Sequence, residues 1–216
     1  ENVSKLYPGQ DRAALEGGNL EVHKGEFVCL VGLSGSGKST FLRLVLREER
    51  PTTGIIHVAG KDLSTLAAHK VPELRRQVGT VFQDFRLLPN KTIFENLAFT
   101  LHVLGYSKKE IAREVPEVLE MVGLEDKGDR RPSEISGGEQ QRVAIARAYF
   151  SRPSILIADE PTGNLDSATS SDIHSLIANL RKELQITFII VTHNQELAAL
   201  SDRSIHMTDG KLDINN

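Results

Sequence analysis

The chain has 216 residues, of which 39% are apolar and 25% charged, and its formal net charge is −3. This composition is typical of a folded globular domain and excludes disorder along the whole chain. The length suits one large domain, and the slight acidic excess argues against a dedicated nucleic-acid binder. The longest apolar runs are far shorter than the roughly 20 residues of a membrane-spanning helix.

Buried strands and amphipathic helices alternate along much of the chain. The predicted strands of the core span residues 27–31, 155–158 and 187–191. Residues 168–184 predict a helix, because apolar side chains recur along one face at the 3.6-residue spacing. Residues 20–26 and 54–60 predict short hairpin-like strands of a small antiparallel subsheet. The pattern as a whole favours an α/β fold with a largely parallel central sheet.

A glycine-rich loop follows the first strand and precedes a helix predicted at residues 40–47. Its sequence, GLSGSGKST from Gly32, fits the phosphate-loop pattern G-x-x-x-x-G-K-[ST]. Glycines let such a loop aim backbone N–H groups at phosphate oxygens, while Lys38 supplies a positive charge and Ser39 a hydroxyl for Mg²⁺. The positive end of the helix adds to the attraction. The residues predicted here to bind ATP are Ser34, Gly35, Ser36, Gly37, Lys38, Ser39 and Thr40.

The middle of the chain has a mostly helical pattern. Helices are predicted at residues 93–104, 108–122 and 137–150. Pro116 lies inside the second and predicts a kink or a restart, since proline removes a backbone hydrogen bond. We therefore predict a single domain, 1–216, in which an α/β core carries an inserted helical lobe. The core is formed by residues 1–83 and 152–216, and the lobe by residues 84–151.

The third helix of the lobe begins with Ser136, Gly137, Gly138 and Glu139. Ser-x-x-Glu is a capping box, in which each side chain accepts a hydrogen bond from the other residue's backbone N–H. Capping does not explain the two glycines, which cost a first helical turn up to about 2 kcal/mol relative to alanine. Glycines allow a ligand to approach the positive helix end closely, so these four residues are predicted to contact a phosphate from a second side. Both interpretations hold at once.

Two carboxylates, Asp159 and Glu160, follow the apolar strand at residues 155–158. An aspartate at this place in a phosphate-loop ATPase holds Mg²⁺, and Glu160 beside it is predicted to polarise the attacking water. The alternative is a pair of solvated carboxylates, which the phosphate loop in the same chain disfavours. The sequence thus predicts ATP hydrolysis with Mg²⁺ as cofactor.

Together these motifs resemble the nucleotide-binding domain of the ABC ATPases, in that family's order and over essentially the whole chain. Residues 136–142 resemble the family's signature motif. The resemblance implies that Tyr7 stacks on adenine, that His193 is the switch histidine and that Gln83 contacts Mg²⁺ and the γ-phosphate. Asp166 resembles the D-loop aspartate, although it also suits a cap for the next helix. The implied catalytic residues are Glu160, His193 and Gln83, and the implied magnesium ligands are Ser39, Gln83 and Asp159.

The resemblance also implies partners. Members of the family form a head-to-tail homodimer, in which ATP lies between one chain's phosphate loop and the other chain's residues 136–138. An integral membrane subunit is expected to contact the loop at residues 84–90, where three large apolar side chains lie beside a cation. The alternative is that these side chains pack into the domain's own core. The expected location is the cytoplasmic face of the cell membrane, held there by the partner, with no nucleic acid bound.

Two branches of the family fit the sequence. Residues 82–96 and 71–76 are similar to FtsE, the cell-division ATPase that works with FtsX. Residues 158–166 are also similar to LolD and MacB. LolD energises lipoprotein release through LolC/LolE-like permeases, and MacB energises drug or peptide export. Residues 187–193 resemble LolD more than FtsE. The coiled-coil ABC ATPases of DNA repair are disfavoured, because the chain has no sustained heptads and carries a net negative charge.

Overall fold

A computed structural model describes residues 1–184 and 186–213 of the chain. The strands are β1 (Val3–Lys5), β2 (Leu15–Gly18), β3 (Phe27–Val31), β4 (His57–Val58), β5 (Lys61–Asp62), β6 (Val78–Val81), β7 (Ile155–Asp159), β8 (Thr187–Thr192), β9 (Arg203–Thr208) and β10 (Lys211–Asp213). The α-helices are α1 (Lys38–Val45), α2 (Val71–Arg76), α3 (Ile93–Val103), α4 (Lys108–Met121), α5 (Gly137–Tyr149), α6 (Ser167–Leu184) and α7 (Gln195–Ala198).

The central sheet of the described residues has six strands in the order β10-β9-β3-β8-β7-β6. The strands from β9 to β6 are parallel to their neighbours, and β10 pairs antiparallel with β9 at one edge. Carboxyl ends of parallel strands meet at one edge of a sheet, where α/β folds place their ligands. The predicted fold class, a largely parallel sheet with a small antiparallel part, is confirmed.

Both faces of the sheet are covered, which explains the apolar strands. Side chains alternate along β3, so that Phe27, Cys29 and Val31 join one buried cluster with α3 to α7, while Val28 and Leu30 join a second cluster with α1 and α2. All five residues of β3 are buried. A strand covered on both faces needs a continuous apolar run rather than alternation.

The antiparallel strands lie partly elsewhere than predicted. Besides β10 with β9, the described residues form two antiparallel pairs outside the central sheet, β1 with β2 and β4 with β5. Residues 20–26 are not a strand, because a local turn takes up their hydrogen bonds: Glu26 N donates to His23 O at 3.1 Å and His23 N to the Glu26 carboxylate at 2.7 Å. Of residues 54–60, only β4 is extended and paired within a ladder.

Three helices, α3, α4 and α5, lie between β6 and β7, and the division into core and lobe stays a prediction. Helix α4 runs unbroken through Pro116, so the predicted restart there is wrong. Four buried apolar residues hold α4 against the core: Ile111, Val115, Val118 and Leu119. Their burial offsets the roughly 3 kcal/mol that an interior proline costs a helix. No helix within residues 1–184 and 186–213 has the length and apolar character needed to cross a membrane.

Candidate active site

The phosphate loop joins β3 to α1, and close packing and a backbone hydrogen bond hold its conformation. Gly35 and Gly37 have φ of 81° and 111°, in the region that favours glycine. A Cβ at Gly37 would lie 2.3 Å from the carbonyl oxygen of Ala14, so no larger residue fits without a shift of the backbone. Ser36 is buried, and its carbonyl accepts a hydrogen bond from Gly210 N at 2.8 Å. The loop is thus held in one shape before any ligand arrives.

A cavity of about 780 Å³ opens above this loop. The predicted site residues that line it are Tyr7, Ser34, Gly35, Gly37, Lys38, Ser39, Thr40, Gln83, Asp159, Glu160 and His193. Further lining residues, which sequence reasoning missed, are Gln10, Arg12, Ala13, Ala14 and Leu33. The segment 10–14 carries no motif, and it reaches the cavity because β1 pairs with β2 and folds the intervening loop beside the site.

Lys38 lies at the first position of α1 and is almost enclosed. Its Nζ donates hydrogen bonds to the carbonyl oxygens of Gly32 at 2.6 Å and Leu33 at 3.0 Å, and lies 3.8 Å from Glu160 Oε1. The side chain is 9% exposed. These contacts keep the ammonium group at the wall of the cavity, where a phosphate oxygen would attract it more strongly than a neutral carbonyl does.

Glu160 and His193 form a pair at the carboxyl ends of β7 and β8. His193 Nδ1 lies 3.0 Å from Glu160 Oε2, and the backbone N of His193 donates to the same oxygen at 3.2 Å. Glu160 has a φ of 45°, an unfavourable value for a residue with a Cβ, and its own N donates to Val191 O at 2.8 Å. Strained backbone of this kind clusters at functional sites. The arrangement aims a carboxylate into the cavity.

Asp159 precedes Glu160 and is half-buried. Burial, and to a smaller degree the charge of Glu160, raise the pKa of the Asp159 carboxyl above its usual value. The charges of Lys38, Arg86 and Arg43 offset this rise only in part, and a bound divalent cation would add to them. Ser39 and Gln83 line the same cavity and offer further oxygen atoms, the ligands that Mg²⁺ prefers. These three residues therefore fit the predicted magnesium site.

Gln83 is held by the segment that follows Glu160. Its Nε2 donates to Asn164 Oδ1 at 3.0 Å, and Asn164 Nδ2 donates back to Gln83 O at 3.0 Å. The fit is close, because a Cβ at Gly163 would lie 2.9 Å from Gln83 Nε2. Gln83 is thus tied directly to the segment that leads to Asp166.

The remaining predicted residues lie outside this cavity. Ser136 and Glu139 form the predicted capping box, with Glu139 N 3.2 Å from Ser136 Oγ and Ser136 N 2.7 Å from Glu139 Oε2. The hydrogen bond from Ser136 N lowers the pKa of Glu139. Asp166 accepts hydrogen bonds from the backbone N and hydroxyl of Thr169, at 3.0 and 2.7 Å, and so caps α6. Within one chain, the residues at 136–139 and Asp166 do not line the cavity with Lys38, and neither does Ser36, the buried residue of the phosphate loop.

Comparison with known proteins bears on these motifs. Residues 15–163 match the family described as ABC transporter. The cell division ATP-binding protein FtsE of Mycobacterium tuberculosis is 48% identical, over 98% of this chain and 92% of the relative. The lipoprotein-releasing system ATP-binding protein LolD of Bacteroides fragilis is 40% identical, over 92% of each chain.

Solved structures agree with the fold. The dimeric post-hydrolysis state of the ATP-binding cassette MJ0796, bound to ADP and Pi, has a TM-score of 0.88 at 37% identity, over 99% of this chain and 95% of that one. The sheet, the phosphate loop and these similarities lead to one conclusion. The chain belongs to the ABC transporter family and is an ATP-binding ATPase cassette of that family.

Proposed function

We propose that this cassette is the ATPase subunit of a bacterial cell-division complex, in which it drives conformational change in an FtsX-like membrane subunit. The observation that carries the proposal is the 48% identity to an FtsE over nearly the full length of both chains. A LolD-like role in lipoprotein release, with a LolC/LolE-like permease, is the second candidate, favoured by the 40% identity to a LolD. In either case the partner would hold the cassette at the cytoplasmic face of the membrane.

The proposed catalytic unit is a homodimer with two ATP molecules. In one chain the cavity is lined by the phosphate loop, the carboxylate of Glu160 and the ammonium group of Lys38. The exposed start of α5 at Ser136 lies outside this cavity. A second copy in head-to-tail arrangement would bring its Ser136, Gly137 and Gly138 over the first copy's cavity. The two-fold symmetry of such an interface makes two equal sites. A dimeric cassette with ADP and Pi among the similar structures supports this arrangement.

Each chain would contribute four functions to hydrolysis. Tyr7 would stack on the adenine ring of ATP. Lys38 and the N–H groups of the phosphate loop would bind its phosphates. Glu160 would accept a proton from the attacking water, and its hydrogen bond to His193 would orient the carboxylate. Mg²⁺, held by Ser39, Gln83 and Asp159, would neutralise phosphate charge when bound.

The surface proposed for the membrane subunit includes the loop at residues 84–90, and the structure refines which side chains it offers. Phe85 and Leu87 pack against the core, whereas Leu88 is 39% exposed. The side chain of Asn96 accepts from Leu88 N at 2.7 Å and so fixes Leu88 to α3. Phe99 and Val103 follow Asn96 by about one and two turns on the same side of α3, and they are 56% and 57% exposed. We call Leu88, Phe99 and Val103 the docking patch.

A reconstitution experiment tests the proposal. The cassette is combined in lipid nanodiscs with an FtsX from the same organism or, separately, with a LolC/LolE pair, and phosphate release is measured. We expect FtsX to accelerate hydrolysis and the Leu88→Glu or Val103→Glu variant to lose that acceleration. Leu200→Glu is the matched control, because Leu200 is an exposed apolar residue that the patch does not include. Acceleration by LolC/LolE alone would support the second candidate, and acceleration by neither would overturn both.

A further inference from the structure

Two consecutive residues in the loop after Gln83 have a left-handed backbone. Phe85 has a φ of 56° and Arg86 a φ of 49°. Residues with a Cβ avoid this region, and those that enter it usually do so singly. Phe85 and Arg86, which we call the kink, therefore need support from the surrounding structure. The kink lies between Gln83 in the cavity and Leu88 of the docking patch.

Arg147, in the last turn of α5, supplies that support. Its Nη2 donates to Phe85 O at 2.8 Å and its Nη1 donates to Arg86 O. One planar guanidinium thus binds the carbonyl oxygens of both kinked residues, a geometry that a lysine ammonium cannot reproduce. Burial, with the charge of Arg86, lowers the pKa of Arg147, so this cation stands in an unfavourable place for a charge. Its placement is explained by the two carbonyl groups that it holds.

The first turn of α5 touches the same kink. A Cβ at Gly137 would lie 3.8 Å from Phe85 Cζ and 3.2 Å from Leu165 Cδ2, so the Phe85 ring reaches the start of the helix. Helix α5 therefore contacts the kink near both of its ends, at Gly137 and at Arg147. A shift of α5 along or about its axis cannot leave the kink in place, because a packed helix moves as a rigid element.

We propose that Arg147 is a positioning residue that fixes the kink to α5, so that closure of the start of α5 on a partner's ATP moves the docking patch. This inference rests on the proposed function, since it takes from there both the ATP-dependent dimer and the membrane subunit. Arg147 does not line the cavity, and its hydrogen bonds go to the backbone of the kink rather than to the docking patch. It acts on the second through the backbone of Phe85 and Arg86.

The test begins with hydrogen–deuterium exchange on the full chain. Arg147→Met should raise the exchange rate of amides in residues 85–88 about tenfold or more, because an opened kink exposes them. Arg147→Lys, which keeps the charge but not the fork, should give an intermediate increase. Arg142→Met is the matched control: Arg142 also lies on α5 and donates to a backbone carbonyl, Val122 O at 2.9 Å, away from the kink. It should leave exchange at residues 85–88 unchanged.

The second measurement is the ratio of ATP hydrolysis with and without the membrane subunit in nanodiscs. Arg147→Met should reduce this ratio to near one. Arg75→Met, which removes a guanidinium hydrogen-bonded to the carbonyl oxygens of Leu46 and Arg47 on α2's side of the sheet, should leave it at the wild-type value. Unchanged exchange at residues 85–88, or an unchanged ratio when exchange rises, would overturn the inference. If the wild-type chain itself is not accelerated, the proposed function fails and the coupling role of Arg147 falls with it. The exchange result then decides alone whether Arg147 holds the kink.

Discussion

Helices α1 and α5 each have a glycine and a residue suited to phosphate at their start, Gly37 with Lys38 and Gly137 with Ser136, yet the two starts have different surroundings. Helix α1 follows Gly37, has no side-chain cap and opens into the cavity. Helix α5 follows Ser136, whose capping box with Glu139 pairs the N–H groups of these two residues, and Ser136 is exposed. The start of α1 therefore lines the phosphate-binding cavity within a single chain, whereas the start of α5 does not.

The difference shows what a second chain would add. The start of α1, with Lys38, lines the same cavity as Asp159 and Glu160, so we expect one chain to bind ATP by itself. The start of α5 does not line the cavity with these residues; Ser136 there is exposed, whereas Gly138 packs against the Thr169 side chain. The two helix starts are therefore expected to play separate roles, α1 in binding ATP and α5 in closing the dimer over it. The predictions below test that separation.

The largest expected effect is at Glu160. The Glu160→Gln variant should keep ATP binding but lose about 10²–10⁴-fold in hydrolysis, because the amide cannot accept the proton of the attacking water. ATP should then hold the dimer closed, which size-exclusion chromatography with and without ATP would detect. Phosphate release above a tenth of the wild-type rate would contradict the role of this residue.

Substitutions at the two helix starts should separate binding from dimerisation. Lys38→Ala should weaken ATP binding to the single chain about 10–100-fold, through loss of a charged hydrogen-bond donor to phosphate. Ser136→Arg should leave that affinity unchanged and prevent the ATP-dependent dimer, because the arginine fills the space meant for a phosphate. Calorimetric titration with ATP and sedimentation analysis give the two readouts. Equal losses of affinity in both variants would erase the distinction between α1 and α5.

Glycine substitutions should differ in their effect on stability. Gly37→Ala should cost about 2–4 kcal/mol in free energy of unfolding, from left-handed strain and a 2.3 Å contact with Ala14 O. Gly137→Ala should be neutral or stabilising by up to about 1 kcal/mol, because its Cβ would meet side chains rather than backbone, Leu165 Cδ2 at 3.2 Å and Phe85 Cζ at 3.8 Å. Urea unfolding measures both. A Gly137→Ala variant as unstable as Gly37→Ala would show that the start of α5 is braced as firmly as the loop.

The smallest expected effect concerns His174 on α6, the helix that packs against α5. His174 is buried, its Nε2 lies 3.3 Å from Thr162 Oγ1, and burial lowers the pKa of His174 from 6.5, although Glu196 opposes this. Below about pH 6.5 the unfolded chain gains a proton that the folded chain takes up only at lower pH, so stability should fall. The fall in urea midpoint between pH 7.5 and 5.5 should shrink in His174→Gln. The exposed His102→Gln is the control, and an equal fall in both variants would contradict this account.

The sequence predicts much of the core because its elements carry their own signals. The bounds of β3 are as predicted, and β7 and β8 each extend one residue further, since strands buried on both faces are continuous apolar runs. The phosphate loop could be predicted because its glycines, lysine and serine must stand at a fixed spacing to surround a phosphate. The predicted residues that gather in the cavity are those whose motifs end strands or open α1.

Features that depend on distant contacts could not be predicted. The loop at residues 10–14 reaches the cavity through the pairing of β1 with β2, and nothing in its own composition indicates this. The bonds between Gln83 and Asn164 join residues 81 positions apart. Helix α4 continues through Pro116 because its buried apolar residues pack against the core, a contact that the local sequence does not show. Phe85 and Arg86 adopt a left-handed backbone that residues with a Cβ normally avoid. The hydrogen bonds from Arg147 that stabilise it form only once the chain has folded.

The most direct test of the separate roles of α1 and α5 is to mix two inactive variants. Lys38→Ala and Ser136→Arg should each be inactive alone, and phosphate release is then measured on an equal mixture. If ATP lies between α1 of one chain and α5 of the other, each mixed dimer has one site with both defects and one intact site. The mixture should then recover up to about a quarter of wild-type activity, since half of the dimers are mixed and each has one working site. No recovery, with mixed dimers present, would contradict a site shared between two chains.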